Sequence, residues 1–475
     1  MGRRKFAICL FFVVGMGLYW PFSLLVGANL AFATMESNDI LSPSFLLPYF
    51  TFILAGGAIF VCADRLETLS MQRRVAVAEL VVCTVCALVF ILFGEEKFVK
   101  QVAYVGLCAC MAVLLVFWGR IVSLVPVRIA AALVSLSLLL SAPLFFALRS
   151  AMSQGIPGAC CVLLAVASSI CLLSVFQYLC HASASLSTYR ERRADTVANS
   201  KKPFLIVGAL AVCVFADEII RIFITSSDVR VFEDVGALTQ LSAVIVASVV
   251  LGGALIAKDR FSTNRLLLIL MPLMIAGFAS FLLFPETGSS IPIVLLGASY
   301  WMLTVFMWTL TVHTVHFNGV SSFRAFAFMQ CAFNVALLLS SPVGFILSGI
   351  LSSGIDLSRL LAAAIIVVDI SSMLLLWDHT AYGELKHSKN LKYANESRPE
   401  STVSALAQEY GLTARESDVL RLVVAGRNTP VIQRELSISR STAQTHLRHI
   451  YQKFSVHSRQ ELLDRIENTC VLEDD

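Results

Sequence analysis

Between Phe6 and Trp377 the chain repeats one pattern: about twenty mainly apolar residues, then a short polar loop. A run of that length matches the hydrocarbon core of a bilayer, where no water satisfies a backbone N–H or C=O, so each run is restricted to a helix. About twelve such segments are read, centred near residues 16, 53, 84, 110, 138, 167, 214, 247, 275, 302, 337 and 367. The chain is 57% apolar and 14% charged, against roughly half and a quarter for soluble domains. From Asp378 onward the composition is that of a water-solvated protein. The first run, Phe6 to Gly27, is too long for the core of a signal peptide and reads as an uncleaved first helix. Phe6 also stands where N-myristoylation would need Ser or Thr.

Lysine and arginine placement orients the bundle. One set of loops carries Arg3, Arg4, Lys5, Arg65, Arg73, Arg74, Arg120, Arg128, Arg190, Arg192, Arg193, Lys201, Lys202, Lys258, Arg260, Arg265 and Arg324. The alternate set carries Lys97, Lys100, Arg149, Arg230 and Arg359. The first set is expected in the cytoplasm, and an even number of spans then places both termini there, in a cell inner membrane. Nearly all of the 13 cysteines lie within apolar runs. Cys83 and Cys86 have C-x-x-C spacing but no second ligand pair, and they read as small buried thiols. No metal, cofactor or disulfide framework is expected.

Two internal matches have nearly the same offset, a little under two hundred residues. Gly56-Gly-Ala-Ile-Phe-Val-Cys-Ala-Asp64-Arg65 pairs with Gly252-Gly-Ala-Leu-Ile-Ala-Lys-Asp259-Arg260, and Leu138-Leu-Leu-Ser-Ala-Pro143 pairs with Leu337-Leu-Leu-Ser-Ser-Pro342. The offset maps the second span onto the eighth and the fifth onto the eleventh, which predicts duplicated six-helix halves over about 6–180 and 204–377. The Asp64-Arg65 step after the second span resembles the cytoplasmic-loop motif of the major facilitator superfamily. Glu67 departs from it, standing where that motif has Gly. The resemblance covers 1–377 and carries no substrate with it.

Ionisable residues inside spans are costly and face protein or a cavity. The seventh span holds Asp217, Glu218 and Arg221, with Asp217–Arg221 at i,i+4 and Glu218–Arg221 at i,i+3. Glu79 lies in the third span and Asp369 in the twelfth; Gln330 and Asn334 form a polar i,i+4 pair in the eleventh. By the resemblance, the first, fourth, seventh and tenth helices line a central cavity. Asp217, Glu218, Arg221, Tyr300, Trp301 and Trp308 are then the candidate pocket for a small-molecule effector. The plainer reading is a structural ion pair with ordinary aromatic packing.

Residues 378–404 are polar and mixed in charge and read as a flexible linker. Residues 405–475 carry the start signals of four short helices. Thr413-x-x-Glu416 is a capping box ahead of an apolar stripe, Thr429 with Pro430 starts a second helix, Ser439 caps a third, and Ser458-x-x-Glu461 opens a fourth. In the third, Ala443, Leu447, Ile450 and Phe454 form one buried stripe, while Ser441, Gln444, Thr445, Arg448 and Gln452 face the other way. A helix docked in a major groove needs this arrangement of apolar back and hydrogen-bonding front. From Arg427 to Arg459 the only acid is Glu435, against Arg427, Arg434, Arg440, Arg448, Lys453 and Arg459, an excess that suits phosphate contacts.

The order Leu412-Thr-Ala-Arg-Glu416, Val419-Leu420, Ala425-Gly426, Ile432, Leu436, Ile438-Ser439, Thr442, His446, Ile450, Lys453, Val456, Ser458-Arg459 resembles the LuxR/GerE family without gaps, over about residues 410–466. The resemblance implies a helix-turn-helix domain that binds double-stranded DNA. It implies that Gln444, Thr445 and Arg448 reach bases, that Thr442, Lys453 and Arg459 meet the backbone, and that the fourth helix supports a homodimer on DNA. Gln444 replaces a usual Lys, and Ser437 stands where Gly is common. No nucleotide loop, metalloprotease motif or nucleophile elbow is present in the sequence, and no enzyme is expected. The expected architecture is all-α: a polytopic bundle of about twelve helices plus a small four-helix DNA-binding domain. The expected function is a membrane-embedded one-component transcription regulator; a transporter with a fused DNA-binding reporter is the alternative.

Overall fold

The computed structural model describes residues 3–27, 43–93, 96–153, 162–183, 202–227, 231–256, 263–283, 290–318, 320–351, 406–424, 429–436, 438–454, 456 and 461–462. The chain separates into two compact units, Met1–Thr380 and Ala381–Asp475.

The first unit is built of long helices: α1 Arg3–Gly27, α2 Pro43–Cys62, α3 Leu69–Leu92, α4 Lys97–Val122, α5 Val127–Ser153, α6 Val162–Ser183, α7 Lys202–Ser227, α8 Val231–Ile256, α9 Thr263–Leu283, α10 Ser290–Asn318 and α11 Ser322–Leu351. A single 3-10 turn, Ala63–Glu67, joins α2 to α3. Among the described residues, nine helices are long and apolar enough to cross a membrane. The expected span near residue 367, with Asp369, and the expected linker 378–404 lie outside the described residues.

α3 shows what sets the facing of each helix. Val77, Val81, Val85, Leu88 and Leu92 form an exposed stripe, while Gln72, Ala76, Glu79, Cys83, Ala87 and Phe90 are buried. In water this polarity would be upside down. With lipid as the solvent, the apolar stripe costs nothing outside and the polar atoms must find partners inside.

The packing repeats six helices further on. α1 packs on α5 as α7 does on α11; α2 on α4 as α8 on α10; α3 on α4 as α9 on α10. Between the halves, α5 packs on α8 and α11 on α2. The repeat reaches individual atoms. Ser141 Oγ donates to Leu138 O (2.7 Å) in α5, and Ser340 Oγ donates to Leu337 O (3.0 Å) in α11. Pro143 and Pro342 lie inside those same helices.

Close helix contact fixes α1 against α4. A Cβ placed on Gly15 would collide with the Trp118 indole at Cζ2. Trp118 Nε1 donates to Ser168 Oγ (3.2 Å), which donates to Gly15 O (2.8 Å), so the indole is held in place. Gly15→Ala is expected to cost about 1–3 kcal/mol through overpacking and to lower the melting temperature of the solubilised chain in a thermal size-exclusion assay. An unchanged melting temperature would mean that the indole yields freely.

The second unit has its own core of Leu406, Val419, Leu420, Val423, Ile432, Ala443, Ile450, Phe454, Val456 and Leu462. Among the described residues its principal helices are α12 Ala414–Val424, α13 Thr429–Leu436 and α14 Arg440–Lys453; most of the expected fourth helix lies outside them. Ring stacking of Tyr410 on Phe454, with centroids 4.1 Å apart, closes one end of this core.

Candidate nucleic-acid interface and bundle interior

Local chemistry starts both principal helices of the small unit. Thr413 Oγ1 accepts from Glu416 N (3.3 Å), and Glu416 Oε2 accepts from Thr413 N (2.8 Å) and Thr413 Oγ1 (2.9 Å), completing the expected capping box. Ser439 Oγ accepts from Thr442 N (3.1 Å) at the start of α14. The Thr442 hydroxyl lies 2.7 Å from Ser439 Oγ, so it is part of the cap.

α14 then presents two faces. Ala443, Ile450 and Phe454 are buried and Leu447 packs against them. Ser441, Thr442, Gln444, Thr445, Arg448 and Gln452 are exposed. Thr445 Oγ1 donates to Ser441 O (3.0 Å). The side chains of Arg434 and Arg440, and all of Arg459 and Ser458, lie outside what the structure describes.

Lys453 has a role that its spacing did not announce. Its ammonium donates to Glu416 Oε2 (2.7 Å) and to Gly411 O (2.7 Å). Gly411 sits at φ +59°, a left-handed turn that favours glycine, and this turn presents the carbonyl that Lys453 uses. Glu416 is buried, which by itself would raise its pKa. Hydrogen bonds from Lys453 and Thr413, with the Lys453 charge, more than offset that and hold the carboxyl at about 2. His449 Nδ1 lies 3.6 Å from Glu416 Oε1. An ammonium has three N–H groups, so one remains beyond these two bonds.

In the bundle, the structure buries the seventh-helix carboxylates: Asp217 is 2% exposed and Glu218 1%. The side chain of Arg221 lies outside the described residues. Trp301 and Trp308 are buried and Tyr300 half-buried. These aromatics join α1: Trp20 meets Trp301 (5.7 Å) and Trp308 (6.1 Å), and Phe12 meets Trp118 (5.7 Å) and Trp308 (6.4 Å), all edge-on. Trp301 Nε1 donates to Thr239 O (2.9 Å) and Trp20 Nε1 to Ser137 Oγ (3.0 Å). The predicted aromatic residues therefore meet in one cluster between α1, α4 and α10. Gln330 and Asn334 of α11 are buried as well.

Sequence analysis places Asp64 and Arg324 in the same set of loops, and the structure pairs them. Arg324, 260 positions away at the start of α11, donates to Asp64 Oδ2 (2.7 Å). Ser321 Oγ donates to Glu67 Oε1 (2.6 Å), and His316 Nε2 donates to the Ser123 carbonyl (2.7 Å). The two halves are thus tied at the end of the bundle that carries the basic loops. Glu67, the departure from the superfamily motif, supplies one of the ties.

With this geometry in place, residues 411–466 match the family profile described as "Bacterial regulatory proteins, luxR family". Residues 411–466 are a GerE-type helix-turn-helix domain. The GerE domain is similar to part of the monoamine regulon transcriptional regulator of Klebsiella aerogenes, 44% identical over 54 residues, 11% of this chain and 24% of that protein. It is also similar to part of the HTH-type transcriptional regulator MalT of Vibrio campbellii, 36% identical over 70 residues, 15% of this chain and 8% of that one. The chain therefore spans a quarter or less of the length of these relatives. The bundle, by contrast, is similar to solved transporters. A bacterial homologue of the iron transporter ferroportin in an outward-facing state matches at TM-score 0.57 and 11% identity, over 80% of this chain and 100% of that one. The major facilitator proton:xylose symporter XylE matches at TM-score 0.51 and 12% identity, over 79% and 95%. These likenesses give the membrane unit the major facilitator fold.

Proposed function

We propose that this chain is a membrane-embedded one-component transcription regulator. The observation that carries the reading is the exposed polar face of α14, backed by a buried stripe, in a GerE domain on the same chain as a major facilitator fold. Gln444, Thr445 and Arg448 read base edges of double-stranded DNA. Thr442, Arg459 and the third N–H of Lys453 meet phosphates. The DNA-bound form is a homodimer, and the bundle lies in the inner membrane with both termini cytoplasmic.

The input is a small molecule taken up between α1, α7 and α10, among Asp217, Glu218, Arg221, Tyr300, Trp301 and Trp308. A ligand shifts a two-state bundle only by its difference in affinity for the two states. The ties Asp64–Arg324 and Glu67–Ser321 mark where the states differ. The Asp64–Arg324 pair is exposed and worth about 0–1 kcal/mol; the carboxylate-accepted bond of Glu67 is worth about 1.5–3 kcal/mol. Asp64→Asn with Glu67→Gln is therefore expected to shift the dose–response of a promoter reporter by about tenfold. An unchanged curve would separate the ties from the switch.

A transporter with a fused DNA-binding reporter is the second reading, favoured by the likeness of the bundle to solved transporters. Genome-wide DNA occupancy of the tagged chain, beside uptake into vesicles of compounds suggested by the occupied genes, distinguishes them. Occupancy of discrete promoters without uptake supports the regulator. Uptake that survives deletion of 405–475 supports the transporter, and absence of discrete occupancy overturns both.

A further inference from the structure

We propose that Glu79, Cys83 and Cys110 form a Zn2+ site inside the membrane unit, at the junction of α3, α4 and α6. One ligand atom from each residue lies within 4.8 Å of the others, and all three residues are buried. By sequence, Cys83 and Cys86 read as small buried thiols with no metal expected. The structure instead turns Cys83 towards the next helix, where Cys110 brings a second sulfur and Glu79 an oxygen.

The carboxyl group is the independent sign that something belongs there. Glu79 is 6% exposed and accepts one hydrogen bond at Oε1, from Ser169 Oγ of α6 at 2.9 Å. Its Oε2 is fully buried and has no hydrogen-bond partner among the described residues. Among those residues it also makes no ion pair. A carboxyl left half-satisfied within a lipid-embedded bundle carries a desolvation penalty that a cation would remove. Cys110 Sγ contacts the Glu79 backbone carbonyl at 3.8 Å, so the sulfur already lies against the helix turn that holds the carboxyl.

The donor set selects the metal. Two sulfurs exclude Mg2+ and Ca2+, which take oxygen ligands, and a carboxylate oxygen is a poor partner for Cu+. Zn2+ accepts both donor types in one tetrahedral shell, with sulfurs of a pair about 3.8 Å apart at Zn–S of about 2.3 Å. The site therefore needs to close by about 1 Å at most, within the reach of side-chain torsions. Ser169 supplies the outer hydrogen bond that orients a ligating carboxylate. Three protein donors leave the fourth position open. Binding displaces donor protons to solvent. Ligation by all three needs the carboxylate and both thiolates, so three protons leave and the loaded site carries one net negative charge.

The proposal stands apart from the DNA-binding reading, and its test uses the full chain in lipid nanodiscs after chelator treatment. Titration with Co2+ is expected to give one equivalent of a sulfur-to-metal charge-transfer band that Zn2+ bleaches. Cys83→Ser and Cys110→Ser should each remove the band, Glu79→Gln should weaken binding about tenfold, and Cys331→Ser in α11 should leave it intact. A band that persists in the Cys83→Ser/Cys110→Ser double variant overturns the site. Zinc K-edge absorption of the unsubstituted chain makes the test independent of variant folding. Two sulfur neighbours at about 2.3 Å are expected; no retained zinc, or a shell of nitrogen and oxygen only, overturns the proposal.

Discussion

Arg448→Ala is expected to erase promoter-specific binding of the full-length chain while leaving weak, sequence-blind DNA binding in place. Arg448 is exposed on α14, one turn beyond Gln444 and Thr445. The helix beneath it is anchored by Ala443, Ile450 and Phe454 and capped by Ser439. A bidentate arginine–guanine contact is worth about 1–3 kcal/mol; the proposed homodimer would lose it twice, so a fall of about 30-fold or more is expected. Arg415→Ala removes an equal charge from α12, where the guanidinium lies 3.6 Å from Asp418, and should change affinity little. Mobility shifts on an occupied promoter, repeated across a salt series, decide the matter. If the Arg448 variant keeps the footprint and only its salt slope changes, the residue meets phosphate and leaves the reading set.

The second large effect is on stability. Lys453→Met leaves the buried Glu416 carboxylate to Thr413 and to His449 at 3.6 Å, and loss of the charged hydrogen bond from the part-exposed ammonium costs about 1.5–3 kcal/mol. The pH dependence has a definite sign. Glu416 is held at about 2 in the fold, below its ordinary value of 4.5. It therefore adds stability that is fully present above pH about 4.5 and is lost as pH falls towards about 2. At 1.36 kcal/mol per unit, the loss is about 3 kcal/mol. Urea unfolding of residues 400–475, followed by circular dichroism from pH 7 to 2, should show this acid limb. The limb should flatten in Lys453→Met. An acid limb of equal depth in both proteins would show that the carboxylate does not depend on the ammonium.

What the sequence made legible follows from the range of each interaction. The Thr413–Glu416 box and the Ser439 cap act over three residues, and the stripe Ala443–Leu447–Ile450–Phe454 repeats with the helix turn, so all were readable. For Lys453 the family resemblance implies a DNA-backbone contact; its bond to Glu416 spans 37 positions and lies beyond the reach of local pattern. In the bundle, periodicity carries little because lipid-facing and core-facing residues are alike apolar. Only rare polar residues mark the inside, and Glu79, Asp217, Glu218, Gln330 and Asn334 are indeed buried. Which of them meet is a matter of tertiary pairing. The proximity of Asp64 to Arg324, and of Cys83 to Cys110, needed the packed helices to be seen.

The tryptophans have an optical consequence. The chain has 5: Trp20, Trp118, Trp301, Trp308 and Trp377, and none falls within 405–475. The first four are buried, edge-on to other rings, and three of them donate their indole N–H to a different helix. Tryptophan emission, excited selectively at the red edge, therefore carries no signal from residues 405–475 and comes mainly from a cluster spanning α1, α4 and α10. A compound that pries those helices apart should shift the emission to longer wavelength without any dye or label. Screening effectors then requires only a fluorimeter, and a responding compound can be ranked by its titration curve before any promoter is known.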